Sequence, residues 1–532
     1  MRAPALAGTG TLVRFALRRD RVRLAVWVAV GAGLTAQQSL GSQAFYDTPE
    51  ALAAYRASVG SNAATIALAG PPVGLDTVAG AVAFEISFTL VLVAALMAMS
   101  TTIRHTRADE EAGRTELVRA ARVGRHAPLL AGVGLAALGC AAIAVAIGAA
   151  GVATGLPAGG SFLLGASVGT AGLVFAAVSA VAAQVSGSAR AAYGIVLAVF
   201  GVAFAVRAVG DIEGDGVSWL SPIGWAQATH PYSDDRWWPL LLGLAGTGVL
   251  LAGARALLDR RDLGAGVMSP RPGAASASRL LGSPWGLAGR LHRGALLGWA
   301  GGLVALGAVY GSIAGSVQTL LGDNPAAETF LPALSTAGLV DAYLGVTLGM
   351  VVLTTGAYAV SAALRARTEE SAGRAEPVLA TATSRPAWLG SHAAVALLGS
   401  TAVLVAAGTV MGLSAAAATG DPALTGRVLA ATLAHLPDVW VFAAVATVLV
   451  GVLPRAASAT AWGWVAYVVV VTLFAESLDW PSWVDDLSPL AWTPAGPGEP
   501  WAAGPSIVLA AVALGLLATG LAGFRRRDLA TG

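Results

Sequence analysis

The stretch RHTRADEEAGRTELVRAARVGR at 104–125 returns as RARTEESAGRAEPVLATATSR at 365–385. In register, Arg107, Glu110, Gly113, Arg114 and Glu116 stand over Arg367, Glu370, Gly373, Arg374 and Glu376, each pair 260 residues apart. Working outward, DRRDL at 259–263 is echoed by RRRDL at 525–529, and LSP at 220–222 by LSP at 487–489. The implied period of roughly 265 residues is far beyond that of a solenoid and suits a membrane bundle of two like halves. The chain therefore divides into a first half at 1–265, a linker at 266–285 carrying Pro270, Pro272 and Pro284, and a second half at 286–532.

Hydrophobic residues make up 56% of the chain and charged residues only 12%, about half the charged share of a soluble domain. This composition requires an integral membrane protein. Apolar runs long enough to cross a hydrocarbon core of about 30 Å as helices lie at 24–40, 79–102, 128–153, 161–185, 191–210 and 238–257. The second half supplies 294–318, 339–363, 389–416, 428–452, 457–476 and 503–523. The expected fold is all-α, with twelve transmembrane helices as two parallel six-helix repeats. Strands of about ten residues alternating in polarity, the mark of a membrane β-barrel, are not seen.

All 32 basic residues are arginine. With spans drawn as above, every one but Arg56, Arg207, Arg236 and Arg427 falls on the side of the N-terminus, which the positive-inside rule assigns to the cytoplasm. Acidic residues sort the other way, with Asp47, Glu50, Asp76, Asp211, Glu213, Asp215, Asp234, Asp235, Asp479, Asp485 and Asp486 in outer loops. The expected location is a bacterial plasma membrane, with both termini cytoplasmic and the first span uncleaved. The basic residues serve orientation, and the net charge of +2 gives no reason to expect a nucleic-acid partner. Cys140 is alone in an apolar span, so the chain holds neither an internal disulfide nor a cysteine metal cluster.

Each half opens on a basic amphipathic stretch, LVRFALRRDRVRLAVWV at 12–28 and WGLAGRLHRGALLGW at 285–299. These suit an interfacial elbow helix that precedes the turn into the bilayer. Trp219, Trp225, Trp237 and Trp238, then Trp480, Trp483, Trp492 and Trp501, form an interfacial belt in the loops before the last spans. The repeated element follows the second span of each half. Within it Arg107 precedes Glu111 by four residues, Glu110 precedes Arg114, and Glu370 precedes Arg374, placing opposite charges on one helical face. Gly113 and Gly373 interrupt that helix, and the expected product is a small knob projecting from the membrane.

A segment after span two reading EEAGRTELVRAARVGR and EESAGRAEPVLATATSR resembles the coupling-helix region of type-2 ABC exporter permeases. The fused two-half chain looks like actinobacterial permeases known as exporters of polyketide antibiotics. The resemblance implies that Arg107, Glu110, Glu111, Gly113, Arg114 and Glu116, with Arg367, Glu370, Gly373, Arg374 and Glu376, form two ATPase-coupling elements. Pro377 stands in the second copy where the first has Leu117, so the two are not equivalent in sequence. The implied partner is an ABC ATPase in two copies per chain. A P-loop requires a lysine, and this chain has none, so ATP must be bound by that partner and no cofactor is expected here.

Inside the spans stand Glu85, Asp341 and Asp438, with His435 one turn before Asp438 across Pro437. Burying such groups is costly, which makes them the substrate or gating candidates. No Ser-His-Asp, HExxH or Cys/His pattern offers a catalytic or metal site, and the chain reads as a transport subunit, not an enzyme. The expected function is export of an apolar or amphiphilic small molecule, a drug, polyketide or lipid, from or through the bilayer. The alternative is a proton-coupled efflux transporter of the major-facilitator type, which would need carboxylates near the midplane.

Overall fold

In the computed structural model, residues 4–46, 48–59, 63–262, 264–268, 275–317, 338–474, 481–493, 496–498 and 503–530 are described. Leu263, Pro270, Pro272, Asp47, Asp479, Trp480, Trp501 and most of the segment between the first two spans of the second half lie outside them. The chain forms two compact units, residues 1–273 and 274–532.

The first unit comprises α1 (Thr9–Phe45), α2 (Pro49–Val59), α3 (Ala63–Ala69), α4 (Val78–Ile103), α5 (Asp109–Glu111), α6 (Arg114–Arg119), α7 (Ala127–Ala153), α8 (Ala158–Val185), α9 (Ala189–Glu213), α10 (Pro222–Gln227) and α11 (Pro239–Arg260). The second comprises α12 (Pro284–Ile313), α13 (Leu339–Ala363), α14 (Arg365–Ser371), α15 (Ala375–Leu379), α16 (Arg385–Thr419), α17 (Ala423–Ala434), α18 (Leu436–Val452), α19 (Ala457–Phe474), α20 (Ser482–Asp486) and α21 (Ala503–Arg526). Helix starts follow local chemistry: the side chains of Thr77, Ser188, Ser283 and Ser384 accept from the N–H groups of Gly80, Ala191, Gly286 and Ala387. Pro284 and Pro386 stand in the first turn, where a missing N–H costs nothing.

Ten helices among the described residues are long and apolar enough to cross a membrane. The expected count of twelve is therefore not established. Helices α1 and α19 hold the two remaining places, but Gln37, Gln38 and Ser39 dilute the apolar run of α1, and that of α19 is the shorter Ala457–Thr472. The expected elbow is also corrected. The basic stretches continue without a turn into the apolar runs, because nothing in 12–28 or 285–299 interrupts either helix and Asp20 of α1 is buried against His105 (2.8 Å) and Arg104 (3.3 Å).

Small residues bring helices close, as lipid-facing bundles require. A Cβ on Gly165 of α8 would stand 2.1 Å from the carbonyl oxygen of Ala144 on α7, and one on Gly311 of α12 would stand 2.2 Å from that of Met411 on α16. Hydroxyls satisfy themselves within their own helices, as Ser179 does on Phe175 (2.6 Å) and Thr355 on Val351 (2.7 Å). The α17–α18 break falls at His435, just before Pro437, which cannot donate to the helical ladder.

Candidate functional site

Both copies of the repeated element are helix–glycine–helix turns. After α4 the chain passes through a π-helical turn, Arg104–Ala108, into α5 and α6, whereas the second copy runs α13, α14, α15. Gly113 (φ 72) and Gly373 (φ 70) stand between the short helices in the left-handed region that favours glycine. This break corrects the expected charge pairs. Past it, the four-residue spacing no longer places side chains on one face, so Arg114 bonds Asp109 (2.5 Å) and Arg374 bonds Glu369 (2.6 Å). Arg107 pairs with Glu110 (3.0 Å), and Glu111 accepts from the Ala189 N–H (2.9 Å).

Glu110 meets Arg261 by two bonds, from Nη1 (2.6 Å) and Nη2 (2.7 Å), and accepts a third from the Gly264 N–H (2.7 Å). Glu370 repeats this with Arg527 Nη1 (2.5 Å), Arg527 Nη2 (2.8 Å) and the Ala530 N–H (2.9 Å). Arg367 stands 3.3 Å from Glu370, as Arg107 does at 3.0 Å from Glu110. The same arginines reach the ends of α8 and α18: Arg261 Nε donates to Gln184 (2.8 Å), and Arg527 to the carbonyls of Gly451 (3.1 Å) and Val450 (3.0 Å). The far end of each repeated stretch returns to the same point. Arg125 donates to the carbonyls of Leu258 (2.6 Å) and Arg261 (3.1 Å), and Arg385 to that of Arg527 (2.6 Å).

Both carboxyls lie beyond the apolar runs of their helices. Burial alone would raise them, but the arginine bonds, the backbone N–H and the second arginine outweigh it and hold each below the ordinary carboxylate range. A bidentate, charge-assisted pair of this kind is geometrically strict as well as strong.

Arg107, Glu110, Arg367 and Glu370 thus face inward. Glu111, Arg114, Glu116 and Leu117 in the first copy, and Arg374, Glu376 and Pro377 in the second, are exposed, Leu117 by 78%. Beside the first copy, a small open groove of about 70 Å³ is lined by Leu12, Phe15, His105, Arg114, Thr115 and Val118. In the sequence, DRRDL and RRRDL mark only the ends of the halves. Their repetition was the signal, and Arg261 and Arg527 are what it encoded.

Each intramembrane candidate is bonded to partners within its own unit. Glu85 of α4 accepts from Gln38 (2.6 Å), Ser42 (2.7 Å) and Tyr46 (2.7 Å). Asp341 of α13 lies 3.5 Å from Arg427. Asp438, fully buried, bonds His435 (2.6 Å) and Thr493 (2.8 Å). At the end of the first unit opposite the repeated element, Arg207, also missed as a site, is fully buried and donates to the carbonyls of Ile66 (3.3 Å), Ala67 (2.7 Å) and Leu68 (3.3 Å). Gln227 takes the fourth carbonyl, that of Ala69 (2.5 Å), so the four carbonyls at the C-terminus of α3 are all met by side chains. The two LSP sequences share a further bond, since Trp225 donates to the carbonyl of Trp219 (2.6 Å) and Trp492 to that of Asp486 (2.9 Å).

Among the described residues the chain is helical, with ten helices fit to cross a membrane and a clasped helical element in each half. Residues 10–257 and 281–525, one segment in each half, match the family model described as multidrug efflux system permease Rv1217c, C-terminal domain. The chain is 39% identical over 537 residues to the multidrug efflux system permease protein Rv1217c of Mycobacterium tuberculosis (strain ATCC 25618 / H37Rv), covering 99% of this chain and 96% of that relative. It belongs to the multidrug efflux system permease family.

Proposed function

We propose that this chain is the membrane subunit of an ATP-driven exporter in the bacterial plasma membrane, with both termini cytoplasmic. A separate ABC ATPase, in two copies per chain, binds and hydrolyses ATP, because a chain without lysine cannot build a P-loop. The two repeated elements are its contacts. The observation that carries this reading is the recurrence, in both units, of one exposed turn held by one buried ion pair. In this reading Arg107, Glu110, Gly113, Arg367, Glu370 and Gly373 shape each element, while Glu111, Arg114, Glu116, Arg374 and Glu376 face the partner together with Leu117 and Pro377. The cargo is apolar or amphiphilic, which suits spans dominated by Ala, Val, Leu and Gly.

The test is to purify the tagged chain from its own membranes and weigh what accompanies it. An ATP-hydrolysing partner at two copies per chain, lost when Glu116 and Glu376 are both changed to Arg, establishes the reading. A chain that purifies alone and exports only while a proton gradient persists overturns it.

A further inference from the structure

We propose that Arg261 and Arg527 are positioning residues that transmit movement of the repeated elements to the last and fourth helices of each half. This rests on the coupling reading above and adds to it the route by which a push on the element reaches the bilayer. A short turn joined to the bundle only through its flanking chain would swing on its glycine when pushed. Here it is held at both ends, by Glu110 on the Arg261 guanidinium and by Arg125 on the Arg261 carbonyl, with Glu370 and Arg385 doing the same at Arg527.

Each clasp arginine sits at or just beyond the end of its unit's last helix, α11 or α21. Each also bonds the end of the fourth helical span, at Gln184 or at Val450 and Gly451. One guanidinium therefore joins three elements, with its bond directions fixed by the planar fork. A purely local helix-end cap would explain the bonds to Val450 and Gly451. It would not explain why a carboxylate from the repeated element, 151 and 157 residues away, occupies the other side in both units.

The experiment uses the full chain in its native cells with Arg261→Glu, Glu110→Arg and the double exchange, and the same three changes at Arg527 and Glu370. Membrane abundance, recovery of the ATPase, and export of a fluorescent amphiphilic dye that the wild type exports are measured. Each single change is expected to keep the ATPase attached while export falls at least about tenfold, and each exchange to restore export to within about threefold, as coupled partners do. Arg261→Lys, which keeps the charge but not the fork, is expected to fall between. Single variants that export normally overturn the assignment, as do exchanges that recover neither abundance nor export. If the wild-type chain brings down no ATPase, the coupling reading itself fails, and the assignment with it, whatever the exchanges do.

Discussion

Glu110 and Arg261 lie 151 residues apart in the chain and meet through two charge-assisted hydrogen bonds, with each side chain almost closed to solvent. Glu370 and Arg527 reproduce the pair in the second unit. Removing one member leaves a buried charge alone, which typically costs about 3–5 kcal/mol, whereas replacing both with apolar residues is often close to neutral. We expect Glu370→Ala to lower the detergent melting temperature clearly, and Glu370→Ala with Arg527→Met to recover much of it. A double variant no more stable than the single would contradict this.

The pH response of the clasp has a definite sign. The folded carboxyls of Glu110 and Glu370 lie below their unfolded values, so their contribution to stability is fully present above the ordinary carboxylate range. It is lost only as pH falls below the ordinary carboxylate range and through the depressed folded values. The stability gap between wild type and a Glu110→Gln, Glu370→Gln variant should therefore stay level near neutrality and close only in acid. A gap that closes near neutrality would exclude the clasp as its source.

Helix contact through glycine makes a sharp volume prediction. Gly165→Leu should separate α7 from α8 and strongly reduce membrane abundance, since its Cβ alone would meet the Ala144 oxygen at 2.1 Å. Gly194→Leu, where a Cβ meets nothing within 4 Å, is the control expected to leave abundance unchanged. Equal behaviour of the two would refute the packing argument.

Arg207 holds α3 by its last carbonyls, while the Phe204 ring of its own helix, 4.9 Å away, steadies the guanidinium. Arg207→Met should free α3, raising labelling of a cysteine introduced at Ile66 in a Cys140→Ala background by about tenfold, while Arg207→Lys has a smaller effect. Unchanged labelling in Arg207→Met would show that α3 is held by other means.

Asp438 separates the two transport readings. Its oxygens are occupied by His435 and Thr493, an arrangement an amide can partly keep, so Asp438→Asn should retain export within about threefold. Abolition of export in Asp438→Asn, with normal abundance and ATPase recovery, would favour proton coupling.

Much of the molecule was legible in the sequence because long-range duplication and hydropathy are written directly in residue order. The like halves, the positions of the long helices and the interruption at His435 before Pro437 follow from such local signals. The elbow was misread because amphipathic charge looks the same on a surface helix as on the first turns of a longer one. The unbroken course of α1 and α12 distinguishes them, as does the burial of Asp20 against Arg104 and His105 in the first half. The pairs Glu110–Arg114 and Glu370–Arg374 fail because Gly113 and Gly373 turn the chain between their members, whereas Arg107, in a π-helical turn, pairs with Glu110 and not Glu111.

The sequence by itself determined that this is a duplicated helical membrane protein and which residues recur, since repetition and apolar run length need no knowledge of contacts. Only the tertiary structure decided what the recurring residues do. Glu110 and Glu370 offer the same local pattern whether they face water or an arginine more than a hundred residues away. That choice depends on where α11 and α21 end in space, because an ion pair is fixed by distance and burial, neither of which residue order contains.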